Sequence, residues 1–166
     1  MREVRTTIDI AAPPTVVWEI LTDFARYSEW NPQIPFLTGE AAKNARLVEQ
    51  VLLPDGKLMT FHPTITECKE NRELRWVGTF LFAAIFAGEH YFELEPRDDG
   101  RGTRLKHGET WTGLMVEYFP DKVIPPGMED TYEKVNLALK KRAEEIAAKL
   151  PPVEAVRHRI GDLIRG

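Results

Sequence analysis

The stretch GEHYFELEP, residues 88–96, is followed after a short turn by GTRLKHGETWTG, residues 102–113. Successive side chains of a strand point to opposite faces, so the alternation of residue types indicates which face is buried. In the first stretch, glutamates alternate with His90, Phe92 and Leu94. The apolar face is predicted to point inward and the acidic face to be exposed to solvent. His90, on the inner face, therefore needs a hydrogen-bond partner, a ligand or water.

The second stretch alternates in the same way. Its predicted inner residues are Leu105, His107, Glu109 and Trp111. If the turn pairs Leu94 with Leu105, directly opposed residues share a face, and His90 falls opposite Glu109. Phe92 then lies opposite His107. We therefore predict that Glu109 is the partner of His90, with His107 close by, and that this carboxylate raises the pKa of the imidazole.

The rest of the chain predicts an α+β domain. A first strand over residues 3–10 precedes a helix that begins near Pro13, and short alternating segments separated by turn signals fill residues 36–111. Consecutive hairpins of this kind imply an antiparallel meander. Apolar residues then recur every three or four positions from Met128 to Leu150. This pattern is typical of one long amphipathic helix, which we place against the inner face of the sheet.

The chain of 166 residues is predicted to be one domain over residues 1–150, with a tail over residues 151–166. The tail follows two prolines and repeats apolar residues at helical spacing, which predicts a short extra helix that docks on the domain or on a second chain. Hydrophobic residues make up 43% and charged residues 29%, as in globular proteins.

Composition also excludes several classes of function. The net charge is −4 and the basic residues are scattered, so nucleic acid is not a predicted partner. The longest apolar run, residues 80–87, is far shorter than the roughly 18 residues of a membrane span, and residues 1–14 lack the apolar region of a secretory signal. Cys68 is the only cysteine, which fits the reducing cytoplasm, where we place the protein.

Several motifs in order resemble one family. They are WEILTDFARYSEWNP at residues 18–32, DGKLMTFHPTITECKENRELRWVG at 55–78, the two strand stretches above, and VNLALKKRAEE at 135–145. Together they resemble the START-like superfamily called SRPBCC, which includes the birch pollen allergen, in its polyketide cyclase/dehydrase-like branch. The resemblance covers residues 3–150. It implies a helix-grip fold, in which a curved antiparallel sheet wraps around a long C-terminal helix and encloses a cavity for small apolar or amphipathic molecules.

We predict a cavity of at least a few hundred Å³ between this sheet and this helix. Its predicted lining residues are Phe61, Trp76, Phe80, His90, Phe92, His107, Glu109, Trp111, Tyr132, Val135 and Leu139, with Phe61 and Ile65 on one preceding strand. For each apolar member, plain core packing is the alternative role. For His90 and Glu109, the alternatives are a polar patch that orients a ligand and a buried pair that satisfies itself.

Two functions follow from these residues. The first is a binding protein that sequesters or delivers a small hydrophobic molecule of lipid, aromatic or polyketide type. The second is a cyclase or dehydratase in which His90, His107 and Glu109 are the candidate catalytic residues. His90, His107 and Glu109 also have the chemistry of metal ligands, but their spacing matches no metal-ligand motif, and the sequence contains no nucleotide or phosphate loop, so no metal or cofactor is predicted. A buried, satisfied histidine favours binding, whereas an open, water-lined one favours catalysis.

Two apolar connectors, residues 80–87 and 114–119, are predicted to form the lips of the cavity. Large apolar surfaces seldom face water without a reason. The lips therefore either close over the ligand or join two copies of the chain in a homodimer.

Overall fold

The protein is described as a computed structural model that covers residues 1–80 and 83–150, apart from the side chains of Phe80 and Lys122. The strands are β1 (Arg2–Ile10), β2 (Phe36–Thr38), β3 (Val48–Leu52), β4 (Leu58–Phe61), β5 (Thr64–Lys69), β6 (Glu73–Phe80), β7 (Phe86–Arg97) and β8 (Gly102–Thr112). The α-helices are α1 (Pro14–Thr22), α2 (Leu114–Tyr118), α3 (Pro120–Val123) and α4 (Met128–Ala147), and short 3-10 helices follow α1 and β7. The helix predicted in the tail lies outside the described residues.

The main sheet has five antiparallel strands in the order β1-β8-β7-β6-β5. The hairpin of β7 and β8 pairs Leu94 with Leu105 and places His90 opposite Glu109. This is the predicted register. It puts the polar residues of both strands on the face that α4 covers, and the predicted α+β architecture is confirmed.

The meander is divided between two sheets. The alternating residues 57–68 predict one strand, but the structure breaks them at His62 and Pro63 into β4 and β5. Proline has no N–H for a central ladder, and the carbonyl of Pro63 instead accepts from Leu47 N at 2.8 Å. β4 joins a second sheet of order β2-β3-β4, whereas β5 pairs with β6. Phe61 and Ile65 therefore lie in different sheets, and the prediction of one strand is wrong.

Helix α4 buries the predicted stripe against the main sheet. Tyr132, Val135, Leu139 and Ala143 are all buried. The helix ends at Ala147 rather than at the predicted Leu150, which is exposed. A polar residue that the sequence reasoning missed, Asn136, is buried in the same stripe.

The sequence predicts that the whole outer face of β7 is exposed to solvent, but the structure buries one of its residues. Tyr91 lies among the glutamates of that face, yet it is only 1% exposed. Its hydroxyl accepts from Arg5 Nε at 3.0 Å and donates to Glu3 at 2.8 Å, while the Arg75 guanidinium lies 4.8 Å from the ring centroid. Arginine side chains can cover an aromatic ring while their charges stay in water, so ionic residues bury this tyrosine.

The two apolar connectors lie side by side. Leu114 N donates to Ala84 O and Met115 N donates to Ile85 O, both at 3.0 Å. Leu114 is 51% exposed, whereas Phe86 packs inward on the core cluster that contains Trp111. The homodimer and the cytoplasmic location stay predictions.

Candidate ligand-binding site

A chain of buried polar groups crosses from the main sheet to α4; its members, which we call the histidine chain, are Thr6, Asn136, His107 and His90. Asn136 Nδ2 donates to Thr6 Oγ1 at 2.7 Å, and Thr6 Oγ1 donates to the His107 carbonyl at 2.8 Å. Because the amide nitrogen of Asn136 donates to Thr6, its Oδ1 accepts from His107 Nδ1 at 2.7 Å. This assigns the proton of His107 to Nδ1.

His90 continues the chain from the neighbouring strand. Its Nε2 lies 3.0 Å from His107 Nε2, which has no proton and therefore accepts from His90. The ring of His90 also stacks on Trp76, with centroids 4.8 Å apart and planes within 1°. Both imidazoles are therefore neutral. His107 is held by hydrogen bonds to Asn136 and His90, and His90 is held by its hydrogen bond to His107 and by stacking on Trp76.

The pKa values of the two histidines are lowered rather than raised. Burial lowers the pKa of His107 to about 4, and the hydrogen bond that His107 donates to Asn136 opposes this shift. Burial, and then the neighbouring His107, lower the pKa of His90 well below its usual value. The predicted hydrogen-bonded pair of His90 and Glu109 is therefore wrong, although the two residues are opposite in register, because His90 bonds to the histidine beside it.

Glu109 instead forms its hydrogen bond with a residue of α4 rather than with His90. Its carboxylate accepts from the Tyr132 hydroxyl. Burial raises the pKa of Glu109 to about 7, and the side chains of Tyr132 and Trp111 oppose the shift. A Cβ at Gly88, on the adjacent strand, would clash with Glu109 Oε1, so any larger residue there would displace this carboxylate.

Two further residues approach the hydroxyl of Tyr132. Burial raises the pKa of Tyr132 well above its usual value, and the carboxyls of Glu109 and of Glu49 on β3 add to this shift, whereas the Gln33 side chain, from the loop before β2, opposes it. Glu49 is 7% exposed and Gln33 is 3% exposed. We call Gln33, Glu49, Glu109 and Tyr132 the acceptor cluster. It joins both sheets and α4.

The acceptor cluster has unfilled positions. Among the described residues, none gives a hydrogen bond to Glu49 Oε2 or to Gln33 Oε1. Burial, and then the charge of Glu109, raise the pKa of Glu49 to about 8. The sequence reasoning missed both residues. For Glu49 a signal existed, since it alternates with Leu47 and Val51 on a face that turns inward, whereas Gln33 lies in a loop without any periodicity.

The predicted lining residues fall into three groups. Trp76, His90, Phe92, His107, Glu109 and Trp111 lie on the inner face of the main sheet, and Tyr132, Val135 and Leu139 lie on the face of α4 that covers it. Phe61 lies on the small sheet opposite Glu49. The side chain of Phe80 is outside the described part. Phe92, Val135 and Leu139 belong to the main hydrophobic core.

The inner face has an open position beside the acceptor cluster. Gly78 of β6 lies opposite Gly88 of β7 and on the same face as Trp76. A Cβ at Gly78 would meet no described atom within 4 Å. Glu109 also keeps partial exposure although it points inward. Two hollows of about 510 and 120 Å³ lie elsewhere, on the outside of α4 and between α1 and α4, and the cavity between the main sheet and α4 stays a prediction.

Within the described ranges, no group of three or more His, Cys, Asp or Glu side chains is placed to hold a metal ion. No helix in the same ranges is long and apolar enough to cross a bilayer.

An antiparallel sheet that packs on one long C-terminal helix, with polar side chains enclosed between them, defines a helix-grip protein. The chain belongs to the family described as polyketide cyclase / dehydrase and lipid transport, whose model matches residues 1–144. The resemblance noted in the sequence is thereby confirmed.

Solved structures share this fold at low sequence identity. A START superfamily protein from Mycobacterium smegmatis is 22% identical, with a TM-score of 0.69 over 87% of this chain and 98% of that one. Protein NE0264 from Nitrosomonas europaea is 14% identical, with a TM-score of 0.66 over 88% and 96%. The di-domain ARO/CYC BexL from the BE-7585A biosynthetic pathway is 14% identical, with a TM-score of 0.61 over 91% of this chain and 51% of that one. Comparison with curated proteins gave no match.

Proposed function

We propose that the protein binds a small hydrophobic or amphipathic molecule in an internal cavity between the main sheet and α4. The observation that carries the proposal is the opposed pair of Gly78 and Gly88. The carboxylate of Glu109 occupies the space at Gly88, whereas Gly78 borders open space and leaves a gap in a layer of large side chains. Small-molecule sites combine such an apolar concavity with a few polar groups, which here are those of the acceptor cluster.

The positions of the two apolar lips support an entrance to the proposed cavity at the end of the sheet where Gly78 and Gly88 lie. Gly78 and Gly88 lie two residues from Phe80 and Phe86, which form the last pair of the β6–β7 ladder. The connector between them touches α2 through the backbone bonds of Leu114 and Met115. A ligand that passes between the lips would reach the two glycines first.

The arrangement of the histidines favours binding over the cyclase or dehydratase alternative. A general acid or base has to meet its substrate within hydrogen-bond reach. His107 uses both ring nitrogens inside the histidine chain, and His90 uses Nε2 there. We therefore assign the histidine chain to holding α4 against the sheet, and we assign ligand contact to the acceptor cluster and the aromatic side chains beside it.

Filling the gap should remove binding. We expect Gly78→Phe to weaken the affinity for N-phenyl-1-naphthylamine, a neutral apolar probe, at least about ten-fold, because one buried aromatic ring takes up the space of a ligand ring. Titration of the protein with the probe, followed by its fluorescence, measures the dissociation constant. The free energy of unfolding should not fall, since the new ring gains apolar contacts.

The matched control is Thr79→Phe, which places the same ring on the exposed outer face of the same strand. It should bind the probe as the wild type does. Failure of the wild type to bind any apolar probe would refute the proposed function, and equal binding by both variants would show that the space beside Gly78 is not the ligand site.

A further inference from the structure

We infer that the ligand carries a cationic N–H donor, such as a protonated amine, and that the acceptor cluster holds it. The inference rests on the proposed function and gives the class of ligand. It follows from an inventory of donors, acceptors and charges around the Tyr132 hydroxyl.

The donors at the cluster are already used. The Tyr132 hydroxyl donates to Glu109 Oε2. The hydroxyl has donated its only proton, so it can only accept a further hydrogen bond. Gln33 Oε1, from the loop before β2, has no partner among the described residues.

The unfilled positions within the cluster itself are oxygen atoms, and Trp30 Nε1 and Asn31 Nδ2, which precede Gln33 in the chain, are buried donors that also have no partner among the described residues. Gln33 Oε1 and Glu49 Oε2 are buried and receive no hydrogen bond from the described residues. An unpaired buried acceptor destabilises a protein, so a native structure retains one where something else fills it. A group with several N–H bonds can donate to both oxygens, whereas a carbonyl or an ether has no proton to give to Gln33 Oε1 or to the ionised Glu49 carboxylate.

The charge of the site points the same way. The titratable groups around the cluster are Tyr27, Glu49, His90, His107, Glu109 and Tyr132, and each is neutral or acidic. Within the described part of the chain, no lysine or arginine acts on the carboxyl of Glu49 or Glu109. An ammonium group would supply the missing positive charge, and the faces of aromatic side chains beside it would add cation–π attraction.

Three probes of equal chain length test the inference. Decylamine, decanol and decanoate are each used to displace N-phenyl-1-naphthylamine at pH 7.5. We expect decylamine to bind at least ten-fold more tightly than decanol and decanoate to bind most weakly. Glu49→Gln should weaken decylamine about ten-fold and change decanol less than two-fold. Glu19→Gln, at an exposed position of α1, is the matched control and should change neither.

The affinity for decylamine should also rise between pH 6 and pH 8. The carboxyls of Glu49 and Glu109, with pKa values of about 8 and 7, lose their protons over this range and become better partners for the cation. The amine itself stays protonated there, since its pKa resembles that of a lysine. Decanol has no charge, so its affinity should stay flat.

Binding of decanol or decanoate as tight as that of decylamine would overturn the inference and indicate that protonated Glu49 donates to a neutral or anionic ligand. If the fluorescent probe does not bind at all, the proposed function fails at that step. In that case, calorimetric titration with decylamine alone tests whether the protein binds the amine, and the absence of binding heat would overturn this inference as well.

Discussion

Replacing Asn136 with leucine should lower the free energy of unfolding by about 3 kcal/mol. The substitution removes the hydrogen bonds of Asn136 to Thr6 and His107, both 2.7 Å long, and leaves the Nδ1–H of His107 buried without an acceptor. Each lost bond costs about 1 kcal/mol, and a buried unpaired donor costs about 1–3 kcal/mol. Urea unfolding followed by circular dichroism measures the change.

Lys134→Leu is the control, because it introduces the same side chain on the exposed face of α4 and should change stability by less than about 0.5 kcal/mol. The double variant His107→Phe with Asn136→Leu removes both partners, so its loss should be at least about 1 kcal/mol smaller than the sum of the single losses. Additive losses would contradict a hydrogen bond between them. Probe affinity should stay within two-fold in Asn136→Leu if the histidine chain only supports the fold.

A rise in pH from 6.5 to 8 should destabilise the ligand-free protein by about 2 kcal/mol. The native state raises the pKa of Glu49 from its usual value of 4.5 to about 8, so over this range it holds a proton that the unfolded chain has released. Stability from such a group is present below pH 4.5 and is lost as the pH rises through the folded pKa, at about 1.4 kcal/mol per unit.

The histidines act with the opposite sign. Burial lowers the pKa of His107 from 6.5 to about 4, so its contribution is present above pH 6.5 and is lost as the pH falls through the folded pKa. His90 acts in the same direction. Between pH 4.5 and 6.5 the carboxyls and the histidines therefore change the free energy of unfolding in opposite directions. Above pH 6.5 the loss of stability that the carboxyls cause is no longer offset.

Urea unfolding at pH 6.5 and 8.0, in the wild type and in Glu49→Gln, measures this effect. The variant has no proton to release, so it should lose less stability over the interval and be the more stable protein at pH 8.0. Glu19→Gln should follow the wild type. A wild type as stable at pH 8.0 as at pH 6.5 would contradict the burial of an uncompensated carboxyl at Glu49.

The predictable part of the structure is the part that periodicity controls. Alternation along residues 88–96 and 102–113 identified the inner faces and, with the short turn between them, the register that places His90 opposite Glu109. Spacing of three and four residues identified the buried stripe of α4. Both patterns are backbone properties, since side-chain direction follows strand pleat and helix pitch.

The hydrogen bonds of the site could not be predicted in the same way. Register brings His90 and Glu109 together, but side-chain rotamers and competing partners decide that His90 bonds to His107 and Glu109 to Tyr132. Glu49 reaches the cluster only because the chain changes sheets beside Pro63, which is a tertiary event. Sequence periodicity describes one element at a time, and this site is built from several.

Completion of the main sheet is delayed during synthesis. β1 is made first, yet its partner is β8, so that Arg2 pairs with Trp111 and Ile10 with Thr103. About 100 residues separate these partners, and at about 5–20 residues per second the first strand leaves the ribosome several seconds before the second. Contacts so distant in sequence are slow to form. The nascent protein therefore carries an unsatisfied strand edge until β8 has been made, and Thr6 meets His107 and Asn136 only after that.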